Sequence, residues 1–193
     1  GFNVNQNDIA INGMYGLAPI GHTPLEFIER VEVLKGASGL FSGMAPTGAV
    51  GGVINVQTKR AGDEDLTELG LNYQSNFRYG LNADIGRRFG AQKQWGVRFN
   101  GAYSDGETDV SGQKKKREFA SVALDYRGES FRASLDAYHS KDRFKGGSSS
   151  MFWFTNGIAP APDPSINQFP SAYGQLGTNA AILNGEYDFN EHI

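Results

Sequence analysis

Trp95-Gly96-Val97-Arg98-Phe99-Asn100-Gly101-Ala102-Tyr103-Ser104 decides the fold. Trp95, Val97, Phe99 and Tyr103 share one face of an extended chain, and Arg98, Asn100 and Ser104 share the other. A period of two marks a strand with one apolar and one polar face, because successive side chains point to opposite sides. The same grammar recurs on both sides of this stretch. Six strands are read, at 66–74, 79–89, 95–104, 118–126, 131–139 and 181–189. Their apolar faces carry Tyr79, Leu81, Ala83, Ile85 and Phe89, then Ala120, Val122, Leu124 and Tyr126, then Phe131, Ala133, Leu135 and Ala137, and finally Leu183, Tyr187 and Phe189. Opposite them stand Asn82, Asp84, Ser121, Asp125, Arg132, Ser134, Asp136, Asn184, Glu186 and Asp188. Antiparallel strands joined in sequence are the natural reading.

Alternation alone does not say which face looks inward. A soluble sandwich or small barrel puts the apolar face inside, and an outer-membrane barrel puts it against lipid. Two features favour lipid. The connections 90–94 and 127–130 are tight, whereas 105–117 and 140–180 are long, although the short 75–78 falls on the long-loop side. Aromatic residues also gather at strand ends. Phe89, Trp95, Tyr126, Phe131 and Phe189 lie at the tight-turn ends, and Tyr73, Tyr79 and Tyr103 at the others. Two interfacial girdles have this form, and ordinary β-propensity gives part of it. Six strands do not close a membrane barrel, so on the lipid reading more strands follow Ile193.

Residues 1–60 read differently. Thr23-Pro24-Leu25-Glu26 is a capping-box pattern and predicts a short helix over 24–29. A strand follows at 30–35, and another at 50–58 centred on Val53-Ile54-Asn55-Val56. From Gly36 to Gly52, six glycines at 36, 39, 43, 48, 51 and 52 surround Leu40-Phe41, which could form one helical turn. A small α/β unit with glycine-dependent turns results. The boundary is placed at the charged junction Asp63-Glu64-Asp65, giving units of 1–62 and 63–193.

Composition removes several kinds of chemistry. The 193 residues include no cysteine, so disulfides and thiolate metal sites are excluded. A net charge of -3 argues against a nucleic-acid partner held through phosphates. No run of about 18 apolar residues is present, which says nothing against a β-barrel. Gly43-Met44-Ala45-Pro46-Thr47-Gly48 has phosphate-loop spacing but continues with Ala49-Val50, without the lysine that reaches phosphate. His22, His139 and His192 are scattered, without metal-ligand spacing, and no G-x-S-x-G elbow occurs. No catalytic residue and no metal site is assigned. The basic run Lys114-Lys115-Lys116-Arg117 reads either as an anion or lipopolysaccharide contact at the outer rim or as a solvated loop. The long connection 140–180 carries Phe144, Phe152, Trp153, Phe154, Phe169 and Tyr173. Aromatics displayed on a loop suit capture of an apolar or planar ligand, and equally suit packing of the loop on itself.

Ile28-Glu29-Arg30-Val31-Glu32-Val33-Leu34-Lys35-Gly36, with Pro46-Thr47-Gly48-Ala49-Val50-Gly51-Gly52-Val53-Ile54-Asn55-Val56-Gln57-Thr58-Lys59-Arg60, resembles the C-terminal half of the plug domain of TonB-dependent outer-membrane receptors, in its siderophore branch. Ile11-Asn12-Gly13-Met14-Tyr15-Gly16 fits a plug strand and loop, so the resemblance covers roughly 7–60. It implies a mixed α/β plug segment followed by about six antiparallel transmembrane strands of a larger barrel in the bacterial outer membrane. It implies a ferric siderophore as transported ligand, with no other cofactor. The implied partners are outer-membrane lipid and the TonB energy-transducing complex, reached through a segment outside this chain. The apex implied for the plug is 14–23, where Tyr15 and His22 are the candidate ligand contacts; Phe152 and Trp153 are the candidates on the long loop. Arg98 and Arg132 are expected to face the plug or a water-filled lumen. A receptor for cobalamin or a carbohydrate is the alternative within the fold, and a soluble β-rich binding module the alternative outside it.

Overall fold

The computed structural model describes residues 6–19, 21–36, 43, 45–48, 51–74, 76–147, 157, 160 and 163–189. Two sheets account for nearly all of the regular structure. The smaller contains β1 (Ile9–Ile11), β2 (Ile28–Lys35) and β3 (Gly52–Thr58) in the order β1-β3-β2. β1 runs parallel to β3, and β2 antiparallel to it. The larger is a meander of β4 (Leu66–Gln74), β5 (Arg78–Phe89), β6 (Trp95–Glu107), β7 (Lys114–Arg127), β8 (Phe131–Lys145) and β9 (Tyr173–Tyr187). Every neighbouring pair in it is antiparallel. It is not closed: β4 and β9 each have one edge without a partner among the described residues.

The helix expected over 24–29 is not formed, and the described residues contain no α-helix, only one 3-10 turn at Gln6–Asp8. A turn replaces it, closed by the Ile28 amide on the Leu25 carbonyl at 3.2 Å, and β2 begins at Ile28. Two side chains explain the change. Phe27 is buried against the large sheet, and Glu26 pairs with Arg117 at 2.5 Å instead of reaching back to a cap amide. Tertiary contacts outweigh a local capping preference worth about 1 kcal/mol. The helical turn considered at Leu40-Phe41 lies outside the described residues.

The six expected strands are present, and five begin or end beyond their apolar pattern. β6 continues to Glu107, β7 starts at Lys114, β8 runs to Lys145 and β9 starts at Tyr173. Cross-strand partners there are Glu107 with Lys114 and Asp105 with Lys116. The ladder continues where the side chains change from apolar to charged, so hydrophobic periodicity loses it. The basic run 114–117 is therefore strand, not loop.

The two faces of the large sheet separate as the alternation requires. Leu71, Leu81, Trp95, Leu124, Leu135 and Leu183 stand exposed on the outward face. Asp84, Asn100, Ser121, Asp125, Asp136 and Ser140 are buried on the other, which carries the small sheet. Large apolar residues interrupt this polar face at Phe119, Tyr138 and Ile182. Ile11, Phe27 and Val56 of the small sheet and its turn complete the cluster with them. Phe27 is its centre, with ring centroids 5.2 Å from Phe119 and 5.4 Å from Tyr138. Phe27→Ala is expected to cost about 3–5 kcal/mol, read as a lower urea midpoint for release of the small sheet. Leu25→Ala, two residues away and exposed, should change it by no more than about 0.5 kcal/mol.

Candidate functional site

The contact between the sheets is the chemically dense part of the molecule. It has two ends. At the tight-turn end, the segment leaving β3 is gripped by buried charges. Asp136 accepts hydrogen bonds from both terminal guanidinium nitrogens of Arg60, the Nη2 one at 2.6 Å, from Thr58 Oγ1 at 2.9 Å and from Asn12 Nδ2 at 3.2 Å. Asp84 receives Lys59 Nζ at 2.9 Å and Arg98 Nε at 2.5 Å. The grip is reciprocal. Arg88 Nε donates to the Ala61 carbonyl at 3.1 Å and Arg98 Nη1 to the Arg60 carbonyl at 3.3 Å. Arg88 also pairs with buried Asp125. With its amide oriented by its neighbours, Asn100 donates to Asp84 and, at 2.8 Å, to the Glu26 carbonyl.

Local sequence prepares this grip. Asn12 and Gly13 both take positive φ, 48° and 82°, the combination an Asn-Gly hairpin turn requires. The turn brings Met14 back against Ile11 and aims Asn12 at Thr58 and Asp136. On exposed β2, Glu32 accepts from Arg30 and Asn55, and these bonds hold its carboxyl below the usual glutamate range.

At the long-loop end, the segment between β1 and β2 lies against the wall. Tyr138 Oη donates to the Leu17 carbonyl, and Arg117 pairs with Glu26. Gly21, at φ 84°, sits so close to Leu176 of β9 that a Cβ there would collide with its side chain. Three connections of the large sheet interlock at this same end. Asn76 Nδ2 donates to the Thr108 carbonyl at 3.1 Å, the Ser111 amide to the Ser165 carbonyl at 2.8 Å, and the Gly147 amide to the Phe169 carbonyl at 2.8 Å. Bonds from the Ser165 amide and hydroxyl hold the Asp163 carboxyl below its usual range.

Tyr15 and His22 both lie on the segment between β1 and β2, His22 beside Gly21, which meets Leu176 near the long-loop end of β9. Tyr15 is half-buried, and its hydroxyl oxygen is shielded without a hydrogen-bond partner among the described residues. His22 is exposed. Phe152 and Trp153 lie outside the described residues. Arg98 faces the small sheet and grips it, whereas Arg132 is half-exposed and pairs with Glu186 and Asp188. Sequence reading placed Asp84, Asp125 and Asp136 on the right face but missed their pairing with Lys59, Arg60 and Arg88. The available signal was parity: Arg88 shares the face of Asp84 in β5. No group of three His, Asp or Glu suited to a metal occurs among the described residues.

Removing one partner from a buried ion pair leaves the other charge uncompensated, at about 3–5 kcal/mol. Asp136→Ala is expected to fall in that range by urea titration. Arg60→Ala in the same background should cost much less than Arg60→Ala alone, a coupling that a double-mutant cycle measures. Arg132→Ala, at an exposed pair, should cost under about 1 kcal/mol.

Comparison with known proteins gives this geometry its context. Residues 1–53 match the TonB-dependent receptor plug domain family. The chain is 34% identical over 195 residues to the ferrichrome receptor FcuA of Yersinia enterocolitica, covering 100% of this chain and 26% of that one. It is 38% identical, with a TM-score of 0.91, to the solved ferric preacinetobactin receptor BauA of Acinetobacter baumannii, covering 99% of this chain and 29% of that one. A shorter match, 34% identical over 94 residues, links 46% of the chain to 15% of the vitamin B12 transporter BtuB of Vibrio vulnificus. The chain thus spans about a quarter of the length of FcuA. These relatives are receptors and transporters, not enzymes. The chain is a segment of a TonB-dependent outer-membrane receptor.

Proposed function

We propose that this segment works within a receptor that takes up ferric siderophores across the outer membrane. Residues 1–62 are the C-terminal part of its plug, and 63–193 its first membrane-spanning wall strands. The observation that carries the reading is the likeness, along 99% of the chain, to a ferric preacinetobactin receptor at 38% identity. FcuA, a ferrichrome receptor, agrees.

Geometry supports each part. Tyr79 and Phe89 bound the outward face of β5, about 33 Å apart along the strand at about 3.3 Å per residue. At a tilt of about 40° that becomes about 25 Å along the membrane normal, the height of a lipid-facing apolar band. Trp95 and Tyr126 pack at 4.7 Å, and Tyr126 and Phe131 at 6.2 Å, as one girdle. The plug is gripped at the tight-turn end, and Gly21, within the proposed apex 14–23, meets Leu176 near the long-loop end. A ferric chelate arriving from outside meets that apex and the loops together. Tyr15, His22, Phe152 and Trp153 are the proposed contacts; Tyr15 requires a local shift to present its shielded hydroxyl. TonB, acting through a segment outside this chain, supplies the force that loosens the plug, and no covalent chemistry is involved. The match to BtuB supports a cobalamin receptor as the second reading.

The purified full-length receptor, titrated with ferric siderophores and with cobalamin under tryptophan fluorescence, tests this. A ferric chelate should bind and cobalamin should not. His22→Ala and Trp153→Ala should each weaken binding about tenfold, equivalent to about 1.4 kcal/mol. Binding of cobalamin alone would select the second reading. Val122→Arg, near the middle of the outward face, should destabilise the assembled barrel by about 2–4 kcal/mol, read as a lower temperature for loss of the compact band on electrophoresis.

A further inference from the structure

The connections at the long-loop end are tied to one another by side-chain amides. Asn76 Nδ2 donates to the Thr108 carbonyl at 3.1 Å and to Asp109 Oδ1 at 3.0 Å, which joins the connection after β4 to the one after β6. Gln113 and Asn167 join that second connection to the long one after β8. Gln113 is buried. Its Oε1 accepts from Thr108 Oγ1 at 2.6 Å within its own connection, and its Nε2 donates to the Gly147 carbonyl of the next. Asn167 works from the other side. Its Nδ2 donates to the Ser111 carbonyl at 3.0 Å. Its Oδ1 accepts from the Gly147 amide at 3.2 Å and the Phe169 amide at 3.1 Å. Backbone bonds complete the joint: the Ser111 amide to the Ser165 carbonyl at 2.8 Å, and the Gly146 amide to the Ala172 carbonyl at 2.7 Å. Gly146, at φ 87°, permits the close approach, since a Cβ there would stand 2.8 Å from Asn167 Nδ2 and 3.0 Å from Gln113 Cα.

Long surface connections ordinarily move independently, and ordering them on binding subtracts from affinity. Here two amide side chains remove that independence. Each carries donors and an acceptor on one planar group, so a single residue satisfies groups of two connections at once. A shift of either connection alone leaves shielded amide and carbonyl groups unpaired, which is disfavoured. The chain's own groups make all of these bonds, and no ligand group is needed to complete them.

We propose that Gln113 and Asn167 are positioning residues for ligand capture, holding the connections after β6 and β8 as one rim that is assembled before the ligand arrives. The inference rests on the uptake reading above, in which a ferric chelate meets the loops at this end. The two residues act through the placement of the rim, not by touching the chelate.

The test joins hydrogen exchange to uptake in the full-length receptor, with a ferric trihydroxamate and a ferric catecholate as probes. In the wild type, peptides covering Ser111, Gly147 and Phe169 should be equally protected with and without either probe. Gln113→Ala should speed exchange about tenfold at Gly147, and Asn167→Ala should do so at Ser111, each in a connection the altered residue does not belong to. Asn167→Asp keeps the bonds that Oδ1 accepts and loses the one that Nδ2 donates, so it should expose Ser111 and spare Gly147 and Phe169. In cells, both alanine variants should raise the probe concentration for half-maximal uptake about tenfold and leave the maximal rate within about twofold of wild type. The compact electrophoretic band should persist in all three variants, which shows that they are folded. Protection that appears in the wild type only with a chelate would overturn the proposal in favour of closure by the ligand. Unchanged exchange in the variants would overturn it too, as would faster exchange with an unchanged half-maximal concentration, which leaves the bonds a purely structural role. A wild type that takes up neither chelate would instead overturn the uptake reading, and the exchange results would then decide the rim's preassembly by themselves.

Discussion

A carboxylate buried between two sheets has to be met by a cation or a set of donors, and Asp136 is met by four donor groups from the N-terminal unit. Much of the architecture follows from that requirement. It fixes the depth at which Arg60 enters the wall, the position of Thr58 at the end of β3 and the aim of the Asn12-Gly13 turn. Asp84 does the same for Lys59, and Arg88 and Arg98 hold the carbonyls of Ala61 and Arg60 that follow it. Such pairs add little net stability, because desolvation offsets most of their attraction. Their effect is positional: one register satisfies every charge, and any other leaves several unmet.

That kind of joint suits a plug. Apolar contact through Phe27, Phe119 and Tyr138 supplies cohesion without direction, and the ion pairs supply direction with little net cohesion. A plug held this way sits in one place at rest. On the proposed function, the grip at the tight-turn end is where that force arrives, and the apex at the opposite end is where ligand is sensed.

The sequence shows the large sheet plainly because each strand has one face against polar partners and one against an apolar environment. Alternation from Trp95 to Ser104 records that asymmetry directly. It fades past Ser104 and before Glu118, where Asp105, Glu107, Lys114 and Lys116 continue the ladder with charged side chains. The strands consequently run further than their apolar pattern. The expected helix at 24–29 failed for the opposite reason: a good local signal lost to the burial of Phe27 and the pairing of Glu26. Phe119, Tyr138 and Ile182 stand on the polar face and carry no sign of their role until the small sheet is placed against them. The partnership of Arg60 with Asp136 spans 76 positions, and no local pattern encodes it. Of the candidate ligand residues, Tyr15 and His22 fall on the segment between β1 and β2, and Phe152 and Trp153 lie outside the described residues.

The central claim is that the large sheet turns one face to lipid and the other to the plug. This segment lacks cysteine, so a spin label can be placed within it at a single introduced site. Labels at Val122→Cys and Ser121→Cys of the full-length receptor in bilayers sample adjacent positions on opposite faces. Relaxation of the label by dissolved oxygen and by a water-soluble nickel chelate reports the surroundings of each. The label at position 122 should respond strongly to oxygen and weakly to nickel, and the label at 121 weakly to both. A label at 122 that responds to nickel as an exposed surface site does would contradict the account.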